Sequence, residues 1–134
     1  MAYFLGYFRG VAYAAMRIVF AFLYLSHGLD WLFGTFGRDP VPMGSWPFGV
    51  AGVIETICGA LIGIGFLTGP AAFIASGEMA VAYFMSHVPR GGIWPIQNGG
   101  EITVALCFGM LYIATHGSGI LSIDWLIKRN DEKE

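Results

Sequence analysis

Charge is what this sequence has least of. Only 12% of its 134 residues are Asp, Glu, Lys or Arg, about half the share a soluble domain needs to cover its surface. An ordinary water-soluble domain is thereby excluded. Cations are scarce as well, with seven Lys and Arg against nine Asp and Glu and a net charge of −2. No basic stripe is left to bind nucleic acid. Cysteine is limited to Cys58 and Cys107, each inside an apolar run and forming no CxxC pair, which reads as packing rather than a redox couple. There is no flavin or dinucleotide fingerprint and no nucleophile–base–oxyanion set, so a self-sufficient enzyme is not expected.

What the chain has in quantity is apolar surface: 56% of residues are hydrophobic and the mean hydropathy is +0.65. Its 20 glycines and 6 prolines suit membrane helices, which tolerate both better than soluble ones do. Four apolar runs, at about 10–33, 48–67, 71–88 and 101–116, each approach the roughly 20 residues that a span needs. The first is too long for a signal-peptide core and is expected to remain as a span. Between them lie loops dense in Gly and Pro, at 34–47 and at PRGGIWPIQNGG. The Thr68-Gly69-Pro70 breaker predicts a tight hairpin, with Gly69 ending one helix and Pro70 in the first turn of the next. After His116 a Gly-Ser-Gly break leads to DWLIKR, a short amphipathic stretch that Ser122 or Asp124 is placed to cap. The pattern predicts one all-α domain over 1–134, an integral membrane four-helix bundle with a short C-terminal amphipathic segment. Arg9, Lys128, Arg129 and Lys133 flank the termini, whereas Arg38 and Arg90 lie in the opposite loops. The positive-inside rule then places both termini in the cytoplasm.

Three ionisable residues, Arg17, Glu55 and Glu78, fall deep inside the apolar runs, where each costs about 2.5 to 3.5 kcal/mol at a helix centre. They must face protein or water. Counting helical rise from the loops puts Glu55 and Glu78 about 14 Å below the outer face and Arg17 about 24 Å down. Because side chains tilt toward a helix's N-terminus, Glu78 leans toward Arg17 and Glu55 leans away. An Arg17–Glu78 buried pair is expected, serving at least to lock the bundle.

Nearer the outer face are His27 and Asp30 on one side of the first run, His87 at the end of the third and Glu101 at the start of the fourth. At about 100° per residue Arg17 and His27 fall on neighbouring walls, while Glu78 and His87 fall on opposite faces of their helix and do not point at one spot. The Glu-x-x-His pairs of a bundle di-metal site are absent, so no metal is expected. Haem held between His27 and His87 is sterically conceivable, but nothing in the spacing demands it. Tyr24 and Tyr83 offer aromatic walls, and a flat quinone ring whose carbonyls need donors would suit a cavity of His27, Glu55, His87 and Glu101 flanked by them. Gly52, Gly59 and Gly63 form a small-residue stripe for close helix packing.

RIVFAFLYLSHGLDWLFG at 17–34, GVIETICGALIGIGFLTGPAA at 52–72, AYFMSHVPRGGIWPIQNGGE at 82–101 and HGSGILSID at 116–124 together resemble the DoxX family of small four-helix membrane proteins. The resemblance runs in order over nearly the whole chain. It implies a bacterial or archaeal inner-membrane protein, and some relatives are subunits of quinol oxidase or thiosulfate:quinone oxidoreductase assemblies. The family's first-span arginine falls on Arg17, its second-span glutamate on Glu55, its third-span histidine on His87 and its NGGE glutamate on Glu101. Asp30-Trp31 departs from the pattern, since many relatives place a lysine after the histidine-glycine pair. The expected function is that of a redox-associated membrane subunit that binds quinone or supports a partner oxidoreductase, as part of a hetero- or homo-oligomer. The alternative is a non-catalytic scaffold or assembly subunit.

Overall fold

The structure, a computed structural model, describes residues 5–132; Lys133, counted among the terminal cations, lies outside them. The described residues form helices and no strand. Helix α1 runs Arg9–Phe33, α2 Phe48–Ile64 and α3 Thr68–Ala82. The last continues through a π-helical turn, Tyr83–His87, into the short α4, Val88–Gly91. One further turn, α5 (Pro95–Asn98), precedes α6 (Glu101–His116) and the C-terminal α7 (Ile123–Asp131).

The second run ends three residues earlier than expected. Gly65, not Gly69, is the stop: its φ is +72°, and a Cβ there would come within 2.2 Å of Ser122 Cβ and 2.7 Å of Arg17 Nη1. Only glycine fits that conformation in that space. Gly69 instead lies inside the first turn of α3, where Pro70 also sits as expected and its missing N–H leaves no bond unmade. The two candidate caps divide the work. Ser122 Oγ accepts from Trp125 N at 3.2 Å and caps α7. Asp124 reaches across to α3, its carboxylate accepting from Leu67 N at 3.1 Å and Thr68 N at 3.3 Å.

α1 packs along α2 and α3 along α6, and contacts between α2 and α3 and between α1 and α6 close the ring. Glycine sets the α1–α2 approach. A Cβ on Gly59 would lie 2.9 Å from the Leu25 backbone, and one on Gly28 would lie 2.6 Å from Thr56 N and 2.8 Å from Glu55 Cβ. Gly63 meets nothing closer than Ala21 Cβ at 3.6 Å, an ordinary contact.

The core mixes large apolar side chains, among them Tyr24, Ile62, Leu106, Met110 and Ile113, with small and polar ones such as Ala14, Ala21, Ala72, Ala75, Thr68 and Ser76. Large apolar side chains also point outward from every long helix: Phe22, Ile57, Phe73 and Phe108 are each more than half exposed. Bulky apolar surface left outside on every long helix suits helices packed in an apolar solvent. α1, at 25 residues, is long and apolar enough to cross a membrane; α2 and α6, at 17 and 16, are shorter apolar helices.

Candidate functional site

A cleft of about 530 Å³ opens among α1, α2, α3 and α6, at the end of the bundle where the 34–47 and 88–100 loops lie. That volume is in the range of small-molecule sites. Its walls carry His27, Glu55, Glu78 and His87, with apolar surface from Ile54, Ile74, Met79, Met85, Ile102 and Leu106. Trp31, Trp46, Arg38 and Arg90 line its outer part.

Gly28 brings α1 against α2 at Glu55 and Thr56, and His27 and Glu55 line the same cleft. Glu55 is only 3% exposed, and its Oε2 is buried with no hydrogen-bond partner. A polar atom so placed is normally satisfied, by protein, water or a ligand. Glu78 stands close enough for the two charges to interact, and its Oε2 accepts from Tyr24 Oη at 3.1 Å. Neither glutamate has a cation partner among the described residues; the ion pair formed there joins Arg38 to Asp30, at 3.3 Å.

The histidines differ in what they leave free. His87 is engaged at both nitrogens. Nδ1 donates to Asn98 O at 3.3 Å, so Nε2, 3.1 Å from Thr103 Oγ1, accepts from that hydroxyl. His27 Nδ1 donates to Leu23 O at 2.8 Å, which leaves Nε2 as a lone-pair acceptor facing the cleft.

Several expectations need correction. Arg17 does not meet Glu78. Its guanidinium donates to Ser118 O and to Leu121 O, the latter at 2.7 Å, with Nε buried and unpartnered. The C-terminal segment folds back over the N-terminal half of α1 and offers Arg17 two carbonyls, so it has no reason to reach toward Glu78. Arg17 and His27 therefore do not share a cavity. Tyr24 is wholly buried and contributes through Glu78 rather than as a cleft wall. Tyr83 is also off the wall; its hydroxyl donates to Ile93 O and accepts from Asn98 Nδ2, holding the 88–100 loop in place. Glu101 is exposed at the start of α6 and does not line the cleft.

Glu78 and His87, expected on opposite faces, line the same cleft. The π-helical turn Tyr83–His87 is the reason, since its wider winding rotates everything after it relative to a regular α-helix. Asp30 is a loop brace, accepting from Phe36 N at 2.8 Å and from Arg38 Nε at 3.3 Å. Trp31 is held between Phe48, stacked at 4.3 Å, and the Arg38 guanidinium, 3.7 Å from the ring centroid. Arg38, Arg90 and Thr103 carried no site signal in the sequence; the first two read only as topology charges.

The family model described as DoxX matches residues 12–88 of the chain. An uncharacterised protein of Haemophilus influenzae is 37% identical, covering 87% of this chain and 91% of its own length. An uncharacterised membrane protein of Mycobacterium tuberculosis is 24% identical, covering 81% and 77%. No solved structure matches the chain.

Proposed function

Because the chain belongs to the DoxX family of membrane proteins, we propose that it is a multi-pass, redox-associated subunit of a bacterial inner membrane whose cleft holds a quinone-type ligand for a partner oxidoreductase. In this reading α1, α2, α3 with its π-turn, and α6 all cross the bilayer. Bulky apolar side chains left exposed on all four support that arrangement. The short α2 and α6 are accommodated by a locally thinned bilayer. The termini lie on the cytoplasmic side and the cleft opens toward the outer face, in keeping with the cations flanking the termini.

The observation that carries the ligand reading is Glu55. A carboxyl 3% exposed, with one oxygen unpartnered, on the wall of an apolar cleft is costly to bury, and in a membrane helix such a group marks a site for something that it binds. A quinone ring suits the space: its faces meet Ile54, Met79 and Leu106, and its carbonyl edge meets Glu55, which donates a hydrogen bond when its carboxyl is protonated. Quinone chemistry moves protons with electrons; the chain supplies carboxyl groups beside the ring, and the partner supplies the electron carrier.

The test uses protein purified from its native membrane. A solvent extract is assayed for quinone, and decylubiquinone is titrated against the fluorescence of Trp31 and Trp46. Wild type is expected to yield quinone and to show saturable quenching that Glu55→Gln weakens about ten-fold. No extracted quinone together with unsaturable quenching would leave the scaffold reading in its place.

A further inference from the structure

The floor of the cleft carries two carboxyls, and no cation pairs with either among the described residues. Glu55 and Glu78 both line it and stand within electrostatic range of each other. Arg38 is within electrostatic range of Glu55 but pairs with Asp30 and lies over the face of Trp31, and Arg90 is exposed at the rim. The Tyr24 hydroxyl is already donated to Glu78, and His27, on the same lining, spends its Nδ1 proton on Leu23 O. Around them the lining is aliphatic and thioether, with Trp46 exposed at the edge. The described residues hold no cluster of three or more His, Cys, Asp or Glu that would bind a metal ion, so a bare inorganic cation lacks its ligand shell.

We propose that the cleft binds lipophilic organic monocations, with the positive charge seated between Glu55 and Glu78 and the apolar body against Ile54, Met79 and Leu106. The inference goes beyond the quinone reading and does not rest on it. A buried, unpartnered carboxyl calls for a counter-charge or a donor, and a second carboxyl within range strengthens the field at the same point. The apolar walls supply affinity without adding charge. Selection of sign follows: an anion of the same shape meets two carboxylates and is rejected.

Two ions of nearly one shape and opposite charge test this. Tetraphenylphosphonium and tetraphenylborate are titrated into purified full-length protein in nonionic detergent, with calorimetric readout corrected by an empty-micelle blank. The phosphonium is expected to bind saturably and the borate not. Glu55→Gln and Glu78→Gln should each weaken phosphonium binding at least ten-fold, while Glu101→Gln, the same charge change outside the cleft, leaves it within two-fold. Equal binding of both ions, preference for the borate, no phosphonium binding, or indifference to both cleft variants would each overturn the proposal. If Glu55→Gln does not fold, the wild-type comparison of the two ions and Glu78→Gln decide. Decylubiquinone titrated into the same wild-type sample reports on the quinone reading separately, so either result stands without the other.

Discussion

Glu55 is the least comfortable residue in the chain, a carboxyl 3% exposed with an oxygen that bonds to nothing. Removing an unsatisfied buried polar group regains about 1 to 3 kcal/mol. Glu55→Met is therefore expected to raise the melting temperature in detergent while abolishing ligand binding, the trade expected where stability was given up for function. A lower melting temperature would mean that the carboxyl is structural. Arg17 differs in what it supports. It is wholly buried and, though its Nε is likewise unpartnered, its terminal guanidinium nitrogens satisfy Ser118 O and Leu121 O, so Arg17→Ala orphans two carbonyls at about 1 to 3 kcal/mol each. Lys128→Ala, at an exposed position, should move stability by no more than about 0.5 kcal/mol. Paired thermal melts separate them; equal shifts would contradict the latch. The reason for Arg17's importance is thus backbone capping beside the N-terminal half of α1, not the pairing with Glu78 that side-chain tilt suggested.

At the scale of elements, the π-helical turn Tyr83–His87 decides which residues share the cleft. Inserting one alanine after Val81, in the α-helical stretch ahead of the turn, should turn His87 by about 100° away from Glu78. Circular dichroism is expected to show an intact helical fold, and decylubiquinone titration a loss of saturable binding. Binding retained in the insertion would detach the register of His87 from the site. The same turn marks where reading the sequence stopped working. Long helices were legible because apolar runs between Gly- and Pro-dense loops leave few alternatives, and α1 and α6 fall within a residue of the expected bounds. His27, Glu55 and His87 were legible as a set because polar groups in apolar helices stand out. Glu78 and His87 were set on opposite faces because a single π-turn carries no compositional mark and a fixed 100° step propagates past it; Glu78 was paired with Arg17 on side-chain tilt, which does not see the carbonyls that the C-terminal segment offers. Tyr24, Tyr83 and Glu101 were misplaced for a related reason: depth along a helix says nothing about which loop folds back over it. Arg38 belongs to the cleft only through Asp30 and Trp31, a contact that loop geometry decides.

For the whole molecule, the distribution of side chains decides more than helix length does. Phenylalanine and isoleucine left exposed on every long helix, as at Phe22, Ile57, Phe73 and Phe108, are costly in water and favoured in lipid. Cysteine placed at Gly44, in the α1–α2 loop, and at Asn130, on α7, both exposed, reads the orientation in intact cells. An impermeant maleimide should label the first and not the second; the reverse would invert the topology. The central claim, that the Glu55 cleft is a ligand site for a quinone-type molecule, is tested most directly in native membranes by photolabelling with an azidoquinone and mapping the labelled peptides. The account predicts adducts on the stretches bearing Ile54 and Met79–Met85, lost when decylubiquinone competes and absent from Glu55→Gln. Labelling spread over the outward faces of Phe22, Phe73 and Phe108, undiminished by competitor, would contradict it.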